Sequence, residues 1–139
     1  MADLITVQEY KNAEGIVNAK DDPRLDIIIP QVSDLAKKYC GTSFVDYYSS
    51  DKTETFSVND NFTSTIIVSE SPLVSVTSVK ERSTYEASYE TLSTSDYEYY
   101  VDTAADAIVR TTKSGTKKSF PRGMGSVQIA YRAGYSTAP

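Results

Sequence analysis

The chain has 139 residues, 40% of them hydrophobic and 24% charged, and a formal net charge of −5. These values are typical of a globular protein with one domain and exclude a chain that is wholly disordered, collagen-like or coiled coil. Because the chain has no histidine and only one cysteine, Cys40, it has no histidine-based zinc site, no nucleophile paired with histidine and no internal disulfide.

The first predicted element is a short helix from about Val7 to Glu14. Thr6 and Glu9 have the spacing of a capping box, in which each side chain accepts a hydrogen bond from the backbone of the other residue. Gly15 follows the last turn, where a left-handed residue commonly ends a helix. These signals together predict one small helix near the start of the chain.

A longer helix is predicted from about Pro23 to Cys40, with Asp22 as the N-cap and Gly41 beyond the last turn. Pro30 lies inside this helix and predicts a kink, because it removes one backbone donor. Cys40 is expected to be a core or near-core residue rather than a nucleophile. Apolar residues recur at three- and four-residue spacing and are expected to bury one helix face: Leu25, Ile28, Val32, Leu35, Ala36 and Tyr39.

The chain after Gly41 is rich in β-prone residues between turn formers, which predicts about six strands. The strands are expected at Thr53 to Val58, Thr65 to Val68, Val74 to Val79, Asp96 to Val101, Ile108 to Thr112 and Ser126 to Tyr131. Ser83 to Ser95 is expected to be an exposed hairpin or loop. The sequence therefore predicts a single α+β domain over residues 1–139, with two N-terminal helices packed on a mainly antiparallel β-sheet and a projecting hairpin or loop. The helical part covers about 5–41 and the β-rich part about 42–135.

The charges divide unevenly along the chain. Residues 1–106 carry all 19 acidic groups and eight basic ones, which gives −11, whereas residues 107–139 carry six basic groups and no acidic one, which gives +6. This division either has no role beyond solvation or reflects complementarity between copies. In the second case the basic end of one subunit meets the acidic body of the next, as a head-to-tail ring requires.

Two short motifs have some features of ligand sites. Asp21, Asp22 and Asp26 offer three carboxylates, but aspartates near a helix N-terminus are explained by its exposed amides and dipole. The segment Lys113 to Lys118 lacks the first glycine of a phosphate loop and does not lie between a strand and a helix. A basic hairpin turn is therefore predicted there, and no metal or cofactor site is predicted.

Tyrosine is unusually frequent, with eleven copies in a chain that has no tryptophan. Clusters occur at Tyr47 and Tyr48, at Tyr99 and Tyr100, and near the C-terminus. These side chains are expected mainly in strand packing and subunit contacts, where tyrosine is enriched. The alternative is a platform that stacks sugars or bases, since tyrosine has an apolar face and a polar tip.

Five segments that span nearly the whole chain occur in a recognisable order. They are ITVQEYKNAEGI, DPRLDIIIPQVSDLAKKYCGTSF, SPLVSVTSVKER, DYEYYVDTAADAIVRT and SFPRGMGSVQIAYRAGY. The last is the most specific, with a Pro-Arg-Gly turn, alternating Val127, Ile129 and Tyr131, and a closing Gly-Tyr pair. This serial order resembles the head-to-tail connector proteins of tailed bacteriophages, also called adaptor or head completion proteins.

The resemblance implies a non-enzymatic ring protein, commonly a dodecamer, that docks beneath the portal at the head-tail junction of a virion assembled in the host cytoplasm. The ring would extend the channel and offer a platform to the next neck or tail protein. Packaged DNA would pass through without sequence-specific binding. No cofactor and no membrane partner are implied, and no apolar run approaches the roughly 20 residues that span a bilayer. The residues expected to contact the portal or a neighbouring subunit are Lys113, Lys117, Lys118 and Arg122 on the basic turn, with Arg132 and Tyr135 near the C-terminus.

Three alternatives stay open at the level of sequence. The first is another neck protein, such as a stopper or a tail-completion factor. The second is a carbohydrate- or receptor-binding β module that uses the tyrosines directly. The third is a carboxylate enzyme, which needs acidic pairs that converge in a pocket.

Overall fold

Two helices precede seven strands in the computed structural model, which describes residues 2–138. The helices are α1 (Val7–Glu14) and α2 (Asp22–Cys40), and the strands are β1 (Lys52–Val58), β2 (Thr65–Ile67), β3 (Leu73–Glu81), β4 (Glu90–Thr91), β5 (Tyr99–Asp102), β6 (Ala107–Arg110) and β7 (Gly123–Ala133). Six of these strands overlap the six predicted ones, and the two-residue β4 is additional. The α+β class is confirmed.

Helix α1 has the predicted capping box at its N-terminus. The Glu9 backbone N–H donates to Thr6 Oγ1 at 3.1 Å, and the Thr6 N–H donates to a carboxylate oxygen of Glu9 at 2.7 Å. Gly15 ends the helix in the left-handed conformation, and its N–H donates back into the last turn. The local signals in the sequence are therefore sufficient to define this helix.

Helix α2 begins one residue earlier than predicted. Its N-cap is Asp21, and Asp22, the predicted N-cap, already belongs to the helix. Pro23 lies in the first turn, where its missing N–H leaves no intrahelical hydrogen bond unmade. Pro30 lies inside the helix, which nevertheless continues to Cys40.

The apolar face of α2 that was predicted to be buried is largely open to solvent. Val32 is 57% exposed, Leu35 68% and Tyr39 91%. The buried row lies beside it and consists of Ile29, Ser33 and Lys37. Three- and four-residue spacing identifies an apolar face, but the spacing does not say whether this chain supplies the partner of that face. The prediction of a buried face was therefore wrong.

The second helix also does not pack on a sheet as predicted. Within residues 2–138, the helices contact each other, and neither makes extensive contact with a strand. The Lys37 Nζ donates to Asp46 Oδ1 at 2.8 Å and to the backbone carbonyl of Ala2, and the Leu4 N–H donates to Ser33 Oγ at 3.0 Å. Polar contacts with the N-terminal segment and with the loop after the helix thus hold α2.

Cys40, expected in or near the core, is exposed. It is the last residue of α2, and its neighbour Tyr39 is also exposed. Because the sheet does not cover this helix, its last turn has no core to join. The thiol is therefore open to reagents in solution.

The strands form two antiparallel sheets, with the orders β1-β7-β3-β4 and β2-β6-β5. Strand β7 is central in the larger sheet, where Ile129 lies opposite Glu54 of β1 and Val79 of β3. One cluster of buried side chains is shared by both sheets. It consists of Val58, Ile66, Val68, Leu73, Val79, Leu92, Ile108, Phe120, Val127, Ile129, Tyr131 and Ala133.

A partly buried ion pair joins the two sheets beside this core. Arg110 of β6 donates to both carboxylate oxygens of Glu81 of β3, at 3.0 and 2.9 Å. The same guanidinium donates to the backbone carbonyls of Glu98 and Thr111 at 2.8 and 3.0 Å. Since Arg110 is only 4% exposed, this basic residue serves the interior of the protein.

The segment predicted as an exposed hairpin or loop, Ser83 to Ser95, follows β3 and contains β4, whose two residues pair back with the end of β3. The guanidinium of Arg82 lies over the rings of Tyr85 and Tyr89, 4.9 and 4.7 Å from their centroids. The Tyr89 hydroxyl donates to the carbonyl of Gly125 at 2.6 Å. The hairpin is therefore fastened to the start of β7 by aromatic and polar contacts.

Candidate assembly surface

The basic turn, residues 111–118, forms the hairpin that the sequence predicts. The Thr112 N–H donates to the Thr116 carbonyl at 2.9 Å, and Thr111 forms a β-bridge with Lys117. Gly115, in the turn, has a φ of 82°. Lys113, Lys117 and Lys118 are exposed. Their ammonium groups have no carboxylate at ion-pair distance among residues 2–138, so the turn presents positive charge to a partner.

Two further basic residues beyond position 107, Arg110 and Arg132, have acidic partners within the chain. Arg110 is bound to Glu81 in the interior, and Arg132 Nε lies 2.9 Å from Asp51 Oδ1 at the surface. Arg132, a predicted contact residue, is on β7 in the larger sheet and apart from the basic turn, which follows β6. The structure therefore does not bring it together with the lysines.

Tyr135 lies near the loop that follows α2. Its backbone N–H donates to the carbonyl of Phe44 at 2.8 Å, and its side chain is partly exposed. The neighbouring Gly134 donates to the carbonyl of Pro72 at 2.9 Å. The backbone of this segment thus has a structural role, while the ring remains available for contact.

Arg122 faces a third region, the turn that precedes β2. The N–H of Phe62 is the main cause of the lowered pKa of Asp60, and the positive charge of Arg122 lowers that pKa further. The Phe62 ring is 87% exposed. The Ser119 hydroxyl donates to the Asn61 carbonyl at 2.6 Å and fixes this turn against the segment before β7. Arg122 therefore belongs to a surface with an exposed aromatic ring.

The basic turn also borders a groove that the sequence analysis did not predict. This tyrosine groove has a volume of about 530 Å³ and is lined by Tyr97, Tyr99, Tyr100, Lys113 and Lys117, among others. Burial raises the pKa of the Tyr99 phenol above its ordinary value. Aromatic faces beside two ammonium groups are suited to a partner that carries carboxylate or phosphate groups.

The tyrosine groove results from the pairing of β5 with β6. Tyr99 lies opposite Arg110 and Tyr100 opposite Val109, so the residues before β5 lie beside the turn that follows β6. In the sequence these tyrosines and lysines are more than ten residues apart. The groove can be inferred from the sequence only if the two predicted strands are paired as one hairpin in this register.

Two carboxylates converge elsewhere, on either side of Lys52. The Lys52 Nζ lies 3.1 Å from Glu70 Oε1 and 3.4 Å from Glu54 Oε1. Burial raises the pKa of Glu70, but hydrogen bonds from Ser43, Lys52 and Thr42 and the charge of Lys52 outweigh burial and hold that pKa below its usual value.

Glu54 behaves in the same way. Burial raises its pKa, but hydrogen bonds from Ser69 and Tyr131 and the charge of Lys52 bring the pKa below its usual value. An acid/base pair needs one carboxyl with a raised pKa and one with a low pKa. Both members of this pair are ionised, so the pair is suited to holding the loop after α2 against the sheet.

Two further kinds of feature bear on function, a membrane-spanning helix and a metal site. No helix within residues 2–138 combines the length and the apolar character needed to cross a bilayer. In that part of the chain, no group of three or more cysteine, aspartate or glutamate side chains is placed to hold a metal ion. Asp22, one of the three clustered aspartates, lies 2.9 Å from the Lys11 Nζ. Its role is therefore to join the two helices.

The exposed lysines and aromatic rings form a surface suited to contact with another protein, since aromatic residues are enriched at protein interfaces. Residues 3–139 match the family model described as Head completion protein. The chain therefore belongs to the head completion protein family and is a structural component of the phage virion, which confirms the resemblance to phage connectors. No curated protein and no solved structure matches the chain.

Proposed function

We propose that the protein forms a ring that docks beneath the portal at the head-tail junction. The ring, commonly of twelve copies in the resembling connectors, extends the DNA channel and offers a platform to the next neck or tail protein. Residues 1–139 act as one connector domain in this assembly. The protein is assembled in the host cytoplasm, carries no cofactor and has no enzymatic role.

The division of exposed charge is the observation that carries this proposal. Lys113, Lys117 and Lys118 have no acidic partner among residues 2–138, whereas residues 1–106 carry a net charge of −11. In a head-to-tail ring, every subunit uses two different surfaces, one for each neighbour. A basic turn and an acidic body are two surfaces of opposite charge that can meet between neighbours, and repeated contacts around the ring reinforce one another.

The same charge division suits a channel through which DNA passes. An acidic wall repels the phosphate backbone and suppresses the contacts on which non-specific DNA affinity depends. If the basic turn is covered at the interface between subunits, the surface left for the channel is acidic. DNA then moves past the ring without binding to it.

The proposal is tested by electron microscopy of the protein mixed with the matching portal ring. A coaxial ring at one end of the portal is expected for the native chain, and Lys117→Glu combined with Lys118→Glu is expected to abolish it. The matched control is Lys20→Glu combined with Lys80→Glu, which changes the net charge equally at a distance in sequence from the basic turn. Failure of the native chain to bind the portal, or normal docking of the Lys117/Lys118 variant, would contradict the proposal.

The tyrosine groove favours a second candidate, binding of a negatively charged carbohydrate or receptor. Tyr97 and Tyr100 are exposed beside Lys113 and Lys117, and such a set stacks on sugar rings while it pairs with their acidic groups. Saturable binding of an anionic glycan by the monomer, weakened by Tyr100→Ala, would favour this function. A ring that docks on another neck ring instead of on the portal would favour a stopper or tail-completion role.

A further inference from the structure

Helix α2 carries an apolar seam that no other part of residues 2–138 covers. The seam, defined as Leu25, Ile28, Val32, Leu35 and Tyr39, follows the alternating three- and four-residue spacing of a coiled-coil face over two heptads. All five side chains are exposed or partly exposed. Because this spacing is the one that fits the side chains of a second helix, the seam is built to pack against a helix.

A groove beside the seam extends the same surface toward α1. This interhelix groove has a volume of about 510 Å³, with Ile29 among its lining residues. One wall is formed by apolar side chains of α1 and its flanks, namely Leu4, Ile5, Tyr10 and Ile16. The opposite wall includes the first three residues of the seam, Leu25, Ile28 and Val32. A helix laid along the seam would therefore bury one side of its apolar face against α1, as in helix-in-groove recognition.

One flank of the seam carries positive charge, and its first basic residue, Arg24, also lines the interhelix groove. Arg24, Gln31 and Lys38 recur at seven-residue spacing next to the seam and are all exposed. Neither Arg24 nor Lys38 has a carboxylate at ion-pair distance among the described residues. At such flanking positions, charges select the partner and its orientation. A helix with acidic residues on its matching flank is therefore preferred.

The same charges oppose self-association through this seam. An antiparallel pair of α2 helices would place Arg24 of one copy beside Lys38 of the other, and like charges at an interface are unfavourable. We therefore propose that the seam and the interhelix groove bind an amphipathic helix of a different protein, one with an apolar seam and an acidic flank. This surface is separate from the basic turn, and the proposal goes beyond the ring and does not depend on it.

The test uses the full chain and a designed peptide probe. The peptide is a helix with leucine and isoleucine in a two-heptad seam and glutamates on its flanks, and a second peptide has lysines at the same flanking positions. Cys40, exposed at the end of α2, carries an environment-sensitive fluorophore that reports binding. We expect saturable binding of the glutamate peptide and binding of the lysine peptide that is weaker by about tenfold or more.

Matched variants assign the binding to the seam. Leu35→Glu is expected to weaken binding of the glutamate peptide by about tenfold or more, because it places a charge in the seam. Ile27→Glu is the control, since Ile27 is equally exposed on the same helix but lies outside the seam. Arg24→Glu combined with Lys38→Glu is expected to reverse the preference between the two peptides. These three variants change exposed side chains, and circular dichroism checks that each remains folded.

Several outcomes would overturn the proposal. Equal binding of the two peptides would contradict the preference for an acidic flank. Equal effects of Leu35→Glu and Ile27→Glu would show that the seam is not the binding site. A dimer of the free protein in sedimentation experiments that is lost in Leu35→Glu would assign the seam to a second copy of the chain. Absence of binding to either peptide would also reject it.

Discussion

Lys37 of helix α2 and Asp46 of the following loop form a buried ion pair, with 2.8 Å between Nζ and Oδ1 and side chains that are 5% and 8% exposed. Lys37 also donates to the carbonyl of Ala2. Since α2 makes no extensive contact with the sheets among the described residues, this pair is a principal attachment of the helix to the rest of the protein.

Removing one member of this pair is expected to destabilise the protein strongly. Asp46→Ala leaves a buried ammonium group without its counter-charge, and the expected loss is about 3–5 kcal/mol in the free energy of unfolding. Urea denaturation measures it. Lys38→Ala, at the adjacent exposed position, is the control and is expected to change stability by less than about 0.5 kcal/mol. Equal effects of the two substitutions would show that the pair does not hold the helix.

Arg110→Lys keeps the charge at the joint between the two sheets but loses the geometry. The arginine donates to both oxygens of Glu81 and to two backbone carbonyls, and a lysine cannot reproduce this planar set of donors. A loss of about 3 kcal/mol is expected. For Arg132→Lys, whose pair with Asp51 is at the surface, the loss is expected to be below about 1 kcal/mol.

Calorimetry of the two arginine variants distinguishes these effects. The melting temperature of Arg110→Lys is expected to fall clearly, with that of Arg132→Lys close to the native value. If both variants melt at the native temperature, the planar donor set of Arg110 contributes no net stability beyond its charge.

Acid is expected to destabilise the loop after α2 through Glu54 and Glu70. In the folded state both pKa values lie below the ordinary value of 4.5, because hydrogen bonds and Lys52 outweigh the effect of burial. The stability that these carboxylates contribute is therefore present above about pH 4.5 and is lost as the pH falls through their folded pKa values. The urea midpoint is expected to drop as the pH is lowered from about 6 to 3.5.

Glu70→Gln provides the comparison for this acid effect. The variant lacks one titrating group, so its stability is expected to depend less steeply on pH over the same interval. A variant with the same slope as the native chain would assign the acid sensitivity to other carboxylates.

At alkaline pH, burial raises the pKa of Tyr131. The stability that this buried phenol contributes is therefore present below pH 10 and is lost as the pH rises through the folded pKa.

Gly134→Ala is expected to be more damaging than an alanine at Gly115. Gly134 has a φ of 102°, and a methyl group there would overlap the carbonyl oxygen of Phe44, which accepts from Tyr135. Gly115 has a φ of 82° with open space around it. The expected losses are more than about 2 kcal/mol at Gly134 and about 1 kcal/mol at Gly115. Denaturant unfolding of both variants measures the two losses in the free energy of unfolding. Similar losses would mean that the loop containing Phe44 moves away from the added methyl group.

Local signals in the sequence account well for local structure. Thr6 and Glu9 predict the N-terminus of α1 because both halves of a capping box lie within four residues. Alternation of apolar and polar residues locates β1 and β7 for a similar reason. The buried side of α2 was predicted wrongly because the partner of an apolar face is a tertiary property. Lys37, a charged residue, is buried there because Asp46 lies across from it.

The candidate surface was predictable in part. The basic character of the turn from Lys113 to Lys118 follows directly from the sequence, and so does its hairpin form. The separation of Arg132 from these lysines, and the tyrosines brought beside them, depend on which strands pair and in what register. The position of Arg132 required the structure, because β7 pairs with strands that are distant in sequence and such pairing is not encoded in any short window. The tyrosines lie beside the lysines through the local hairpin of β5 and β6, of which only the register was missing.

The central place of β7 has a consequence for biosynthesis. The strand is the last of the seven in the chain, yet both β1 and β3 pair with it. During translation, the two earlier strands leave the ribosome with unpaired edges and remain without their common neighbour until residue 133 has emerged. Such late closure of long-range pairs is slow and exposes strand edges to other chains. Nascent copies made close together on one message are therefore at risk of pairing with each other before they fold.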